Sequence, residues 1–168
     1  LADDGAALLY LPFLNYADGN LDATGEMLAH PFTVPGLGDG GAHVGTICDG
    51  SFPTTLLTHW GRDRGHGRTF DLPFLVRRQC RLTAEAVGLR DRGLLAPGHK
   101  ADLNVIDFEH LGLEPPRMVR DLPAGGRRFM QSAHGYVHTV VSGVSTRTDG
   151  VATDERPGRL VRGEQAAP

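Results

Sequence analysis

The chain has 168 residues, with 17 basic and 20 acidic side chains, a formal net charge of -3 and 40% hydrophobic residues. This composition is typical of a globular protein, and the small negative charge excludes the broad positive field that nucleic-acid binding needs. No apolar run approaches the roughly 18 residues of a membrane-spanning helix, so neither nucleic acid nor a membrane is expected as a partner.

The first predicted elements are a helix and a strand. Residues 21–30 place apolar side chains on one side of a helix, and Pro31 ends it. The apolar run that follows, residues 34–38, predicts a strand with Asp39 at its carboxyl end, in a segment rich in glycine. Parallel α/β folds place their chemistry at such strand ends, and glycine lets backbone or substrate approach closely. The alternative is a tight Asp-Gly turn.

A second helical region is predicted next. Residues 51–60 suit a helix, since serine is favoured at its N-cap and proline in its first turn. Residues 61–70 are rich in arginine and glycine and predict a polar loop of the kind that covers a site. Residues 72–89 have apolar spacing close to helical and predict a final helix or helix pair.

The hydrophobic period changes after residue 100. Alternation over 101–107 and a β-branched run over 136–144 predict two strands, and an Asp-Gly turn at 148–151 leads to a third. Residues 111–128 contain three prolines and a Gly-Gly pair, which predict an irregular excursion. Residues 158–163 predict an edge strand or a frayed tail. The second half is therefore predicted to be β-rich.

Three segments have recognisable motifs: LPFLNYADGN at 11–20, GDGGAH at 38–43 and GLRDRGLLAPGHKADLNVID at 88–107. Together they resemble the C-terminal part of the amidohydrolase superfamily, and specifically its D-aminoacylase branch, which deacylates N-acyl-D-amino acids. In that resemblance the first segment corresponds to the penultimate barrel strand, the second to the last barrel strand, and the third to the entry into a small β-domain.

The resemblance implies an α/β fold in two parts. Residues 1–90 would form the last strands and helices of a (β/α)8 TIM-like barrel, and residues 91–168 a small β-rich domain, a β-sandwich. A complete barrel takes roughly 250 residues, so 168 residues cannot hold one together with a second domain. We therefore interpret the chain as a fragment of a longer amidohydrolase, one that is inactive by itself.

The resemblance gives Asp39 the central chemical role. The corresponding aspartate takes a proton from a metal-bound water as general base and then donates it to the leaving amine as general acid. Asp39 is also a candidate metal ligand, and zinc is the usual cation of the family. The family's His-x-His pair does not occur among the eight histidines of this chain, so the other ligands are expected upstream.

Five further residues are candidates for substrate binding. His43 follows Asp39 by four positions and would reach substrate. Asn15 and Tyr16, at the end of an earlier predicted strand, would donate hydrogen bonds to the acyl oxygen. Arg62 and Arg64 offer planar, bidentate partners for the free carboxylate of the substrate, although a solvated loop explains them as well.

The two cysteines, Cys48 and Cys80, are too few and too far apart for a disulfide framework or a Cys-x-x-Cys metal site. They suit a reducing compartment, which predicts a cytoplasmic protein. The expected partner is a small N-acyl amino acid or related amide, and a homo-oligomer is left open.

The sequence thus supports one main function and two alternatives. The main hypothesis is a metal-dependent amidohydrolase that cleaves the amide bond of N-acyl-D-amino acids. The first alternative keeps the scaffold but cleaves a cyclic amide, as hydantoinases and dihydropyrimidinases do, because fold analogy alone cannot separate these substrates. The second alternative is a non-catalytic binding module or remnant that lacks the metal ligands.

Overall fold

The structure, a computed structural model, describes most of the chain: residues 7–9, 14–36 and 38–168. These residues fall into two compact units, one up to Thr33 and the other from Val34 to Pro168. The domain boundary predicted between residues 90 and 91 lies inside the second unit, and it stays a prediction. The first three residues of the motif at 11–20, and Leu37 in the predicted strand, lie outside the described residues.

The described part of the first unit has a 3-10 turn (Ala17–Gly19) and an α-helix, α1 (Asp22–Ala29). The Asn20 side chain supports the start of α1, since its Oδ1 accepts the Asp22 N–H at 2.8 Å. His30 ends the helix with an extended backbone, as expected of a residue before proline. The helix predicted over 21–30 is confirmed.

The second unit contains a helical segment in two parts. Its elements are a 3-10 turn (Asp49–Ser51), α2 (Phe52–Thr58), a π-helical stretch (His59–Asp63), α3 (Leu72–Val76), a second π-helical stretch (Arg77–Leu82) and α4 (Thr83–Ala86). Asp71 caps α3, because its Oδ1 accepts the Phe74 N–H at 2.7 Å. Both predicted helical regions are confirmed, and the polar loop between them begins at Arg64 rather than at residue 61.

Eight short strands follow. They are β1 (Leu103–Ile106), β2 (Gly112–Leu113), β3 (Arg117–Leu122), β4 (Gly126–Met130), β5 (Ala133–His134), β6 (Tyr136–Val141), β7 (Val144–Thr148) and β8 (Val151–Ala152). An antiparallel sheet has the order β1-β6-β7-β8, while β2 pairs with β5 and β3 with β4. Ser142 and Gly143 join β6 to β7 with φ of 52° and 82°, the positive values that a tight two-residue hairpin requires. The strand predicted over 101–107 is confirmed, and so is the turn at 148–151. The strand predicted over 136–144 is confirmed only as far as Val141, because the turn at Ser142 and Gly143 reverses the chain and Val144 begins β7.

The irregular excursion predicted over 111–128 is wrong. β2, β3 and β4 occupy most of this segment, and β3 and β4 form an antiparallel hairpin. The prolines lie where strands tolerate them, since Pro115 and Pro116 precede β3 and Pro123 lies in the turn. Gly125 completes that turn with φ of 71°. The prolines therefore mark where the strands end.

The core of the second unit lies where the helices meet the first strands. Leu75 on α3 is 0% exposed, and Leu111, just before β2, is 1% exposed. Trp60 is also buried and lies beside Phe70, with 6.0 Å between the ring centroids. Thr54 on α2 shares a 2.7 Å hydrogen bond with the hydroxyl of Tyr136 on β6. The helical segment and the strands therefore pack as one body.

The described residues of the predicted barrel strand, 34–36 and 38–39, are not in a strand. A strand needs a neighbour that accepts its hydrogen bonds, and a barrel strand needs one on each side. The (β/α)8 barrel of the parent protein stays a prediction. No helix within the described ranges is long and apolar enough to cross a membrane.

Candidate active site

Asp39 opens a tight turn on the surface. Its carbonyl oxygen accepts the Ala42 N–H at 2.9 Å, and its side chain is exposed. Its own N–H donates to Oδ2 of Asp49 at 3.0 Å. We call residues 38–51 the Asp39 loop. The Asp-Gly turn that the sequence left open is thus present, and it displays the carboxylate to solvent.

The glycines on both sides of Asp39 allow two backbone segments to pack closely. A Cβ added to Gly40 would lie 2.9 Å from the backbone nitrogen of Gly50. A Cβ added to Gly38 would lie 3.1 Å from Cδ1 of Phe52 and 3.2 Å from Oδ2 of Asp49. The two ends of the Asp39 loop therefore touch, and glycine is required where they meet.

The substitution Gly40→Ala is expected to separate these two segments, because backbone atoms rather than a flexible side chain oppose the added methyl group. Overpacking of this kind costs about 1–3 kcal/mol of unfolding free energy. Gly45→Ala in the same loop is the matched control, since a Cβ there meets nothing within 4 Å. Chemical denaturation of the two variants makes the comparison, and equal midpoints would contradict the close packing.

Two long-range hydrogen bonds attach the Asp39 loop to the β region. Phe129 on β4 donates its N–H to the carbonyl of Val44 at 2.7 Å. The Ser51 hydroxyl donates to Oε1 of Gln131 at 2.5 Å, and the Gln131 side-chain nitrogen donates to the carbonyl of Glu114 at 3.0 Å. The loop that carries Asp39 is therefore held by the β-rich half of the chain.

His43 lies on the same loop as Asp39. Its backbone has φ of 45°, and its carbonyl accepts the N–H groups of Thr46 at 2.8 Å and Ile47 at 3.1 Å. The backbone of His43 thus closes a second turn, and its imidazole is exposed. Its role toward substrate stays a prediction.

Asn15 and Tyr16 belong to the first compact unit. Both are exposed, and the Asn15 carbonyl accepts the Thr24 hydroxyl at 3.3 Å. Asn15 has φ of 55°, a left-handed value that asparagine tolerates better than most residues. Their proposed part in binding an acyl oxygen stays a prediction.

Arg62 joins the helices to the β region. Its guanidinium donates to both carboxylate oxygens of Asp63, at 2.6 and 3.0 Å, which lowers the pKa of Asp63. It also donates to three carbonyls, those of Phe108, Glu109 (3.0 Å) and Leu111 (2.7 Å). These bonds use all five N–H donors of an arginine. Substrate binding by Arg62 would require one of them to break, and it stays a prediction.

Arg64 lies over the ring of the buried Trp60. Its guanidinium carbon is 4.4 Å from the centroid of the Trp60 ring, and its Nε donates to the carbonyl of His66 at 2.6 Å. The pKa of the neighbouring His59 is lowered, chiefly by burial and then by the positive charge of Arg64. Contact between Arg64 and a substrate carboxylate stays a prediction as well.

The metal site implied by the resemblance is not complete among the residues that the structure describes. Within the described ranges, no group of three or more His, Cys, Asp or Glu side chains is close enough together to hold an ion. The candidate ligand Asp39 has its backbone N–H bound to a second carboxylate, Asp49, but no cluster of nitrogen or sulfur donors joins them. The residues present therefore do not fit a metal centre by themselves.

Sequence reasoning missed two residues that shape this site, Asp49 and Gln131. Asp49 stands in a Cys-Asp-Gly-Ser segment before a helix, which indicates a helix start but says nothing of Asp39. Gln131 lies 80 positions from Ser51, and no local pattern announces such a contact.

A sequence profile of the amidohydrolase family matches residues 11–147. The chain belongs to the amidohydrolase family, whose members are hydrolases of carbon–nitrogen bonds and are typically metal-dependent. No curated protein and no solved structure matches the chain significantly. The prediction of an amidohydrolase is confirmed, and the D-aminoacylase branch stays a prediction.

Proposed function

We propose that the parent enzyme hydrolyses the amide bond of N-acyl-D-amino acids, with Asp39 as general acid and base. The observation that carries this proposal is the placement of Asp39. It is an exposed carboxylate whose backbone is hydrogen-bonded at both its N–H and its carbonyl, and it lies within the segment that matches the family.

A carboxylate in this position suits amide hydrolysis, because it can accept a proton and return it in one reaction cycle. Asp39 would take the proton from the attacking water as the new carbon–oxygen bond forms at the acyl carbon. It would then give that proton to the nitrogen as the carbon–nitrogen bond breaks. The products are a carboxylate and a free D-amino acid, and Asp39 returns to its starting state.

The fold and cofactor of the parent enzyme belong to the same proposal. The chain would be the C-terminal portion of a (β/α)8 barrel over residues 1–90, followed by a small β-sandwich domain over 91–168. Zinc or another divalent cation would be bound by ligands outside these 168 residues, next to Asp39. The enzyme would act in the cytoplasm on a small molecule, without nucleic acid or membrane as partner.

The test is a substrate panel on protein produced from the complete coding sequence and supplied with zinc. N-acyl-D-amino acids, their L enantiomers and cyclic amides are compared by the release of free amine or carboxylate. We expect turnover of the D series with roughly 100-fold preference over the L series, in the range that pocket shape alone provides. Faster turnover of cyclic amides would instead indicate a hydantoinase-like enzyme, and no turnover at all would indicate a binding module or remnant.

A further inference from the structure

The carboxylate of Asp49 lies beside the backbone of Asp39. Its Oδ2 accepts the Asp39 N–H at 3.0 Å, across ten positions of sequence. The same carboxylate lies against both neighbours of Asp39: its Oδ2 is 3.2 Å from the position of a Cβ on Gly38, and its Oδ1 is 3.6 Å from that on Gly40. One side chain therefore binds the Asp39 N–H and occupies the space beside both flanking glycines.

We infer that Asp49 is a positioning residue, which fixes the backbone of Asp39 so that the Asp39 carboxylate points outward from the loop. The catalytic part of this inference rests on the proposed function. A hydrogen bond from an N–H to an ionised carboxylate is about twice as strong as a neutral one, so it suits a residue that must hold a backbone segment in one place. Asp49 itself makes no proton transfer in this account.

The chain on both sides of Asp49 is held by hydrogen bonds to the β region. Asp49 begins the 3-10 turn that leads into α2. Ser51, which ends that turn, is hydrogen-bonded to Gln131. On the other side, the carbonyl of Val44 accepts the Phe129 N–H. The Asp39 loop is thus attached to the β region at two points, Val44 and Ser51, which lie on either side of Asp49 in sequence. A carboxylate anchored there can transmit that rigidity to Asp39.

The chemistry makes position matter. Proton transfer to and from a reacting group requires the carboxylate within hydrogen-bond reach, and a displacement of about 1 Å can cost on the order of 100-fold in rate. Loss of the Asp49 side chain frees the Asp39 N–H and empties the space beside Gly38 and Gly40. It should therefore lower kcat while leaving KM nearly unchanged, because substrate contacts elsewhere are kept.

The experiment compares Asp49→Ala, Asp49→Asn and Asp71→Ala in protein made from the complete coding sequence. Asp71→Ala is the matched control, since it also removes one aspartate that accepts a backbone N–H, at 2.7 Å, but on α3. Two quantities are measured: the hydrogen-exchange rate of the Asp39 amide, and kcat with KM on the best substrate of the panel.

We expect Asp49→Ala to raise the exchange rate of the Asp39 amide at least about 10-fold and to lower kcat about 10- to 100-fold. Asp49→Asn keeps the shape and one oxygen acceptor, so freshly prepared protein should give intermediate values, and it serves if Asp49→Ala does not fold. Because Gly50 follows position 49, the new Asn-Gly pair deamidates with time, and both quantities are measured before that happens. Asp71→Ala should leave both quantities at the values of the unmodified protein.

The two readouts separate this inference from the proposed function. An unchanged exchange rate of the Asp39 amide in Asp49→Ala overturns the inference, whatever the activity. Faster exchange with an unchanged kcat overturns the positioning role. Faster exchange in a protein whose unmodified form turns over no member of the panel supports the contact between Asp49 and Asp39 and contradicts the proposed function instead.

Discussion

Asp39→Ala is expected to lower kcat by roughly 100- to 10,000-fold, the usual contribution of a general acid and base. The reason is that the substitution removes the group that takes a proton from water and delivers it to the leaving nitrogen. The measurement is steady-state turnover by the complete enzyme, with its metal content determined on the same sample. Zinc retained at the level of the unmodified protein, together with the loss of turnover, assigns the effect to proton transfer.

The choice of variants at Asp39 matters because Gly40 follows it. Asp39→Asn preserves shape but creates an Asn-Gly pair, which deamidates and restores an acidic side chain with time. Fresh and aged samples of Asp39→Asn should therefore differ, with activity recovering in part on storage because deamidation gives some aspartate beside isoaspartate, whereas Asp39→Ala stays inactive. Asp154→Asn, at an exposed position beyond β8, is the control for the loss of one carboxylate. An undiminished rate in Asp39→Ala would remove the catalytic assignment.

Leu75→Ala should lower the unfolding free energy by about 2–5 kcal/mol, the usual cost of truncating a fully buried leucine. Leu75 is 0% exposed, and its Cδ1 lies 3.1 Å from the position of a Cβ on Gly61. The side chain is therefore closely packed, and its truncation leaves a cavity in the core. The fluorescence of Trp60, the sole tryptophan, reports on the same core during unfolding in urea.

Val76→Ala is the matched control, because Val76 is the next residue on α3 but is 42% exposed. It should change the unfolding free energy by less than about 1 kcal/mol, as most surface substitutions do. If Leu75→Ala and Val76→Ala shift the urea midpoint equally, the core described around Leu75 is wrong.

Local sequence predicted much of the fold because the relevant interactions are short-range. The helix ended by His30, the proline in the first turn of α2, and the turn at Asp149–Gly150 all depend on residues a few positions apart. The β3–β4 hairpin is not predictable from the proline count, because the prolines stand just outside the strands.

The site was less predictable, because it depends on contacts across long stretches of chain. The glycines around Asp39 were recognised, but their reason, the approach of Gly50, lies ten positions away. The bond from Ser51 to Gln131 spans 80 positions. The loop composition indicates a substrate-binding role for Arg62, and only the folded chain shows the three carbonyls around its side chain.

The hydrogen bonds from Arg62 to residues 108–111 also limit how this protein can be divided or recombined. Its side chain belongs to the helical half, but the carbonyls of Phe108, Glu109 and Leu111 belong to the β half. A cut at the predicted boundary between residues 90 and 91 would leave the guanidinium on one product and its three carbonyl acceptors on the other, each without its hydrogen bonds. Chimaeras that exchange one half between relatives must therefore keep both the arginine at position 62 and the backbone conformation of residues 108–111.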